Sequence, residues 1–263
     1  MVNYMLLKFS LVTLLICAIA ILLAALEVGY RLGKRRQDNS DEPDKSHSNA
    51  LQGAVLGLLA LLLGFTFAMS VSRFDNRKTV ITDQANAIGT AELRSRVLAA
   101  PYAEKAAPLF RAYVQAWLDY RAANIDAELI AGAEKRAFGI ENQLWDVVRE
   151  ANSADPHSLP ASLFMTSVND VIDMHEKRVR SVEDRVPDAV IFLLFAVSTL
   201  ALGQVAYSSG LRGRRNEIAN ITFAFVIALV LVIILDIDRP RRGLVQVSQE
   251  SMLRLQQSLQ PAP

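Results

Sequence analysis

The sequence predicts an all-α, polytopic membrane protein with four transmembrane helices and a helical extramembrane stalk domain between spans two and three. Two observations predict this class. A long charged segment without strand-like runs separates two pairs of apolar stretches. Each stretch lacks charged residues and is 18–27 residues long, enough for the roughly 17–25 residues that cross a bilayer core. Because backbone groups in lipid must be satisfied within the segment, we expect a helix in each of 9–26, 46–72, 189–211 and 218–235.

Composition agrees with a membrane protein and excludes several other classes. Apolar residues make up 52% of the chain and charged residues 21%, so the charges are concentrated outside the spans. The net charge of +1 lacks the basic excess of a nucleic-acid binder. The single cysteine, Cys17, can form neither an intrachain disulfide nor a zinc cluster. No phosphate-binding loop, nucleophile elbow or HExxH motif is present, so we expect no enzyme, metal or cofactor.

The apolar stretches and the polar connections divide the chain into four segments. Residues 1–72 hold spans one and two, with a flexible polar loop at about 32–49, and 187–238 form a transmembrane hairpin. The helical domain occupies 73–186, and 239–263 form a C-terminal tail. Span one is expected to be retained rather than cleaved as a signal peptide, because its basic cluster at Lys34, Arg35 and Arg36 follows the apolar stretch instead of preceding it.

The helical domain shows the periodicity of packed amphipathic helices. One helix is predicted from apolar residues four apart, including Tyr113 and Trp117, and Asn124 is a candidate cap for the next. Pro156 and Pro160 indicate a turn before the last helix. Between residues 50 and 100 there is no proline, which predicts that span two continues far beyond the bilayer.

Small residues follow one face of span two. Gly53, Gly57 and Gly64 fall in line with Ala60 and Ala68. In lipid, such a face lets another helix backbone approach closely. Two alternatives remain at this point: packing against another span of the same chain, or contact between subunits around a central axis.

Membrane orientation can be predicted from the charges of the short loops. Eight Lys and Arg residues lie in the two short connections, and such residues are usually cytoplasmic. This predicts cytoplasmic short loops in a membrane that we expect to be a bacterial inner membrane, with both termini and the helical domain on the other side.

Charged residues cluster where spans two and four end. We expect them at one level of the bundle, where they form either a vestibule that attracts ions or an interfacial anchor that reaches lipid headgroups. The residues concerned are Arg73, Asp75, Asp236, Asp238, Arg239, Arg241 and Arg242. Asp170, Asp173, His175 and Glu176 also lie close together, but without a second ligand cluster they indicate a solvated face rather than a metal site.

Several strings resemble a family of bacterial and plant membrane proteins that carry a bestrophin-like domain of unknown function. They are Gly64-Phe65-Thr66-Phe67, Arg73-Phe74-Asp75, Ala85-Asn86-Ala87-Ile88-Gly89-Thr90 with Arg94, Arg185-Val186-Pro187, and Asp236-Ile237-Asp238-Arg239-Pro240-Arg241-Arg242-Gly243. The resemblance runs from span two to beyond span four. It marks Asn86, Gly89, Arg94, Pro187 and Pro240 as family-motif residues without an assigned role.

The resemblance implies kinship with bestrophins, which are pentameric anion channels with four spans per subunit. It implies that Phe65, Thr66 and Phe67 line a pore or gate, and that the Arg239 cluster forms a vestibule. Bestrophins keep their large helical region in the cytosol, which is opposite to the orientation predicted from the loop charges.

Two functions from different classes are therefore expected. The first is an oligomeric ion channel, for anions, in which span two lines the pore and the partners are lipid, small ions and further copies of the chain. The alternative is a non-conducting, membrane-anchored sensor that binds a partner through residues 73–186. The glycine face of span two favours the symmetric assembly.

Overall fold

The computed structural model describes residues 9–260, which are mainly helical and contain no strand. The first eight residues of the predicted 1–72 segment and the last three of the 239–263 tail lie outside this range. In chain order, the helices are α1 (Leu11–Arg36), α2 (Glu42–Ser95), α3 (Ala100–Ala122), α4 (Ala127–Ala154), α5 (Leu159–Glu183), α6 (Asp188–Leu211), α7 (Glu217–Asp238) and α8 (Glu250–Ser258), with a short 3₁₀ turn at Gln37–Asn39.

Four segments in the described range are long and apolar enough to cross a membrane, which confirms the predicted class. Their transmembrane parts belong to α1, α2, α6 and α7. The predicted continuous helix is also confirmed, because α2 runs through 54 residues from Glu42 to Ser95. The protein is therefore a multi-pass, all-α membrane protein.

Helix ends correct two details of the sequence interpretation. The connection between spans one and two is shorter than the expected loop at 32–49, since α1 reaches Arg36 and α2 begins at Glu42. Proline is tolerated in the first turn of a helix, so Pro43 does not prevent this start. Asp126, not Asn124, caps α4, because its carboxylate accepts the backbone N–H groups of Glu128 and Leu129 at 3.0 and 3.1 Å.

The chain separates into two compact units. The membrane unit comprises residues 9–72, 185–239 and 243–245, and the helical unit comprises 73–184, 240–242 and 246–260. In the membrane unit, α1 packs along α6 around a core that includes Leu22, Leu194 and Leu202. Polar contacts of Ser48 tie α2 to α6: Gln204 Nε2 donates to the Ser48 carbonyl at 3.2 Å, and the Ser48 and Ser208 hydroxyls share a hydrogen bond of 2.7 Å.

The helical unit has a core of large aromatic and aliphatic side chains. Phe110, Tyr113 and Trp117 on α3 are buried against Leu144 on α4 and Phe164 on α5. This burial agrees with the four-residue periodicity of α3. The C-terminal tail contributes α8, whose Met252 is fully buried in the same core.

Candidate functional site

Within the described residues 9–260, one face of span two is left uncovered by the other spans. A Cβ atom added at Gly53, Gly57 or Gly64 would meet no described atom within 4 Å. Beside these glycines, Phe65 is 65% exposed and Phe67 is 42% exposed. At about 100° per residue, the two phenylalanines flank the glycine face. Packing of the glycines against another span of the same chain is therefore wrong for the described residues.

The opposite face of span two packs into the membrane unit. Leu59, Thr66 and Ser70 are buried there, and the Thr66 hydroxyl donates to the Leu62 carbonyl at 2.8 Å. Thr66 therefore does not share the exposed side with Phe65 and Phe67. Consecutive helical residues point about 100° apart. Phe65 and Phe67 therefore point to the exposed side, whereas Thr66 between them points to the buried side.

The close glycine packing of the membrane unit lies between α1 and α6 instead. A Cβ atom at Gly29 would collide with the carbonyl oxygen of Gly203, and one at Gly210 would collide with the carbonyl of Tyr30. Gly33 approaches the α6 backbone in the same way. The Gly29-xxx-Gly33 spacing in span one is the sequence signal for this contact, and the sequence interpretation missed it.

The carboxylates at the end of span four are buried and accept hydrogen bonds from backbone N–H groups. Asp236 accepts hydrogen bonds from the N–H groups of Leu244 and Val245 at 3.0 and 3.1 Å. Gly243, which immediately precedes Leu244, has φ +128°, in the region that favours glycine. Asp238 accepts the Val186 N–H at 3.0 Å and so joins the end of α7 to the residues just before α6.

These contacts correct the vestibule prediction for three residues. Asp236, Asp238 and Arg239 are only 4%, 3% and 6% exposed, so they do not line an open mouth. The Arg239 guanidinium donates to the Phe9 carbonyl at 3.3 Å. The same burial contradicts the alternative of an interfacial anchor for these side chains.

The remaining charged candidates lie in the helical unit. Arg73 pairs with Asp184 at 2.9 Å, and Asp75 is exposed. The Arg241 guanidinium lies 4.1 Å from the centre of the Tyr120 ring and donates to the Tyr120 carbonyl at 2.8 Å. Arg242 is half-buried.

The five family-motif residues lie at different places in the fold. Asn86 is exposed, and Gly89 faces α8, where an added Cβ would lie 3.3 Å from Leu255 Cδ1. Arg94 donates to the Ser167 hydroxyl at 2.6 Å and thereby joins α2 to α5. Pro187 immediately precedes the first residue of α6, Asp188. Pro240 lies in the helical unit beside Arg241.

A buried polar cluster in the helical unit was not predicted. Glu141, 5% exposed, accepts from the Tyr113 hydroxyl and contacts His175 Nδ1, both at 2.6 Å. Burial raises the pKa of Tyr113, and the charge of Glu141 raises it further, so the phenol remains the donor. His175 therefore faces the core rather than the predicted solvated surface. Residues 9–260 contain no group of three or more potential ligands placed to hold a metal ion.

Comparison with solved structures shows the same fold in bacterial bestrophin homologues. A leucine-to-threonine variant of the homologue from Klebsiella pneumoniae aligns with a TM-score of 0.66 at 12% identity, over 95% of this chain and 98% of that one. A tyrosine-to-alanine variant from Klebsiella pneumoniae gives a TM-score of 0.59 at 12% identity, over 90% and 97% of the two chains. No protein of curated function matches the sequence significantly.

The sequence itself carries the family assignment. It matches the Bestrophin-like domain over residues 14–252, which includes most of span one, spans two to four and nearly all of the helical unit. This match agrees with the family resemblance of the sequence strings in span two and at the end of span four. The chain therefore belongs to the Bestrophin-like family.

Proposed function

We propose that this protein is an oligomeric anion channel whose pore is lined by span two. The observation that carries the proposal is the uncovered glycine face of α2 between Gly53 and Gly64. Membership of the Bestrophin-like family supports it, because bestrophins, to which the resemblance points, are pentameric anion channels.

The glycine face suits contact between several copies of the chain. Helices associate in lipid through close backbone packing, which small residues permit. Oligomers of identical chains commonly have closed symmetry, as is known best for soluble proteins, so the same face of each subunit would meet around one axis. A pore on that axis would be lined by span two.

Phe65 and Phe67 give the proposed pore its candidate constriction. Both side chains are exposed next to Gly64, although they would be buried if span two were an ordinary internal helix. Rings of apolar side chains can gate a pore by excluding water. We therefore assign these two residues, and not Thr66, to the constriction.

The experiment is chloride flux from liposomes that contain the purified full chain. We expect flux from the wild type, and we expect Phe65→Ala and Phe67→Ala to increase it or to admit larger anions, because each removes an aromatic ring from the constriction. Phe192→Ala is the matched control: Phe192 is 73% exposed on α6, and its loss should leave flux unchanged.

The alternative function gives a different result in the same assay. A non-conducting sensor would show no flux from folded protein across titrations of pH and calcium. Equal effects of the Phe65, Phe67 and Phe192 variants would contradict a pore through span two even if flux is present.

The orientation of the protein in the membrane is a separate proposal. We place the short loops in the cytoplasm because of their density of Lys and Arg. In a Cys17→Ser background, a membrane-impermeant maleimide added to intact cells should label His157→Cys in the helical unit. Asp38→Cys, between α1 and α2, should react only after lysis. The reverse pattern would contradict the proposal and would agree with the cytosolic helical region that the bestrophin resemblance implies.

A further inference from the structure

A small cavity in the helical unit is lined by four arginines. Its solvent-accessible volume is about 30 Å³, roughly two to three times what one water requires. The side chains that matter are Arg77, Tyr120, Arg121, Arg178, Arg241 and Gln249, which come from α2, α3, α5 and the segment after α7. Tertiary structure alone brings these arginines together, since they are far apart in sequence.

Two of the arginines are buried and donate to uncharged oxygens. Arg178 is 3% exposed and donates to the Gln84 and Gln249 side-chain oxygens at 2.6 and 2.8 Å. Its guanidinium lies 4.9 Å from the centre of the Trp117 ring. Arg77, also 3% exposed, donates to the Ser181 carbonyl at 3.2 Å.

The other two arginines are half-buried and form the accessible part of the lining. Arg121 donates to the Gln246 side-chain oxygen at 2.7 Å. Arg241 is held over the Tyr120 ring, as described above, and donates to a backbone carbonyl. Both therefore have fixed positions while part of each side chain stays within reach of solvent.

Three of the four arginines, Arg121, Arg178 and Arg241, have no carboxylate partner in the part of the chain that the structure describes. No Asp or Glu lines the cavity there, and no ion pair joins any of these three side chains to a carboxylate. Burial lowers the pKa of Arg178 to about 10, so the side chain remains protonated at neutral pH. Buried charges are normally paired, because removing them from water is costly.

We propose that this cavity binds an oxyanion of the phosphate class. A planar guanidinium presents paired N–H donors that match two oxygens of such an anion. Several arginines around one small space favour a multiply charged, tetrahedral anion over a halide. The partly exposed Arg121 and Arg241 would also admit a phosphate that belongs to a larger molecule, including a lipid headgroup. This binding does not depend on whether the chain conducts ions.

The test is isothermal titration of the full chain, in phosphatidylcholine nanodiscs, with inorganic phosphate at constant ionic strength. We expect saturable binding that chloride at the same concentration does not reproduce. Arg121→Gln should weaken it about 10-fold or more, the effect of losing one charge-assisted contact. Arg178→Lys keeps the charge but loses the planar fork, and should weaken binding as well. Arg149→Gln, a surface arginine paired with Asp146, is the matched control.

A second arm identifies the source of the anion. Nanodiscs that contain phosphatidic acid, without free phosphate, should raise the melting temperature of the wild type but not of Arg121→Gln if a lipid phosphate occupies the cavity. Saturation by free phosphate alone supports a soluble ligand. The proposal is overturned if neither form binds, if chloride is equivalent to phosphate, or if Arg121→Gln binds like Arg149→Gln. Because Arg121 is only half-buried, we expect Arg121→Gln to fold. This variant therefore tests the proposal even if Arg178→Lys fails to fold.

Discussion

Gly29→Ala is expected to destabilise the membrane unit by about 3 kcal/mol, at the upper end of the cost of overpacking. The added Cβ would collide with the Gly203 carbonyl oxygen, a backbone atom of the neighbouring helix that no rotamer change can move away. The two helices would have to separate along a contact that also includes Gly33 and Gly210. Thermal unfolding of the purified protein in detergent measures the effect.

The matched control for this prediction is Gly139→Ala. Both changes add one methyl group inside a helix, where alanine is intrinsically favoured over glycine by about 1 kcal/mol. At Gly139, on α4, the added methyl group would meet no described atom within 4 Å. Equal melting temperatures for the two variants would contradict the close contact between α1 and α6.

Asp238→Ala is expected to lower stability by about 1–3 kcal/mol, the cost of leaving a buried donor without its acceptor. Asp238 is buried, and it accepts the N–H of Val186, which is only 1% exposed. Asp238→Asn keeps an acceptor oxygen and should recover part of the loss. Chemical or thermal unfolding of the two variants distinguishes loss of the acceptor from loss of the charge.

Asp75→Ala provides the comparison, because Asp75 belongs to the same predicted charged group but is exposed. Surface substitutions of this kind usually change stability by less than about 0.5 kcal/mol. If Asp75→Ala and Asp238→Ala destabilise the protein equally, or if neither does, the structural role assigned to Asp238 is wrong.

The spans and the long helix were predictable because their signals are local. Hydropathy over 18–27 consecutive residues identifies each span, and the absence of proline after residue 50 leaves α2 uninterrupted. The loop after span one is shorter than its polar composition suggests, because α2 begins at Glu42 and the first turn of a helix accepts a proline such as Pro43.

The site was less predictable because its features depend on tertiary contacts. The glycine face of span two was visible in the sequence, but its exposure depends on where the other spans lie. Asp236 and Asp238 look like candidates for ion attraction in a sequence, and only the backbone N–H groups of Val186 and Leu244 reveal their structural role. The arginine cavity likewise joins residues as distant as Arg77 and Arg241.

The measurement that tests the channel most directly is block of chloride flux by a thiol reagent at span two. Ala60 lies on the exposed glycine face, so a Cys17→Ser, Ala60→Cys protein offers one reactive thiol beside the proposed pore. We expect a negatively charged methanethiosulfonate to stop flux through this protein and to leave the matched Phe192→Cys protein conducting. Full flux after complete modification of Ala60→Cys would contradict a pore lined by span two.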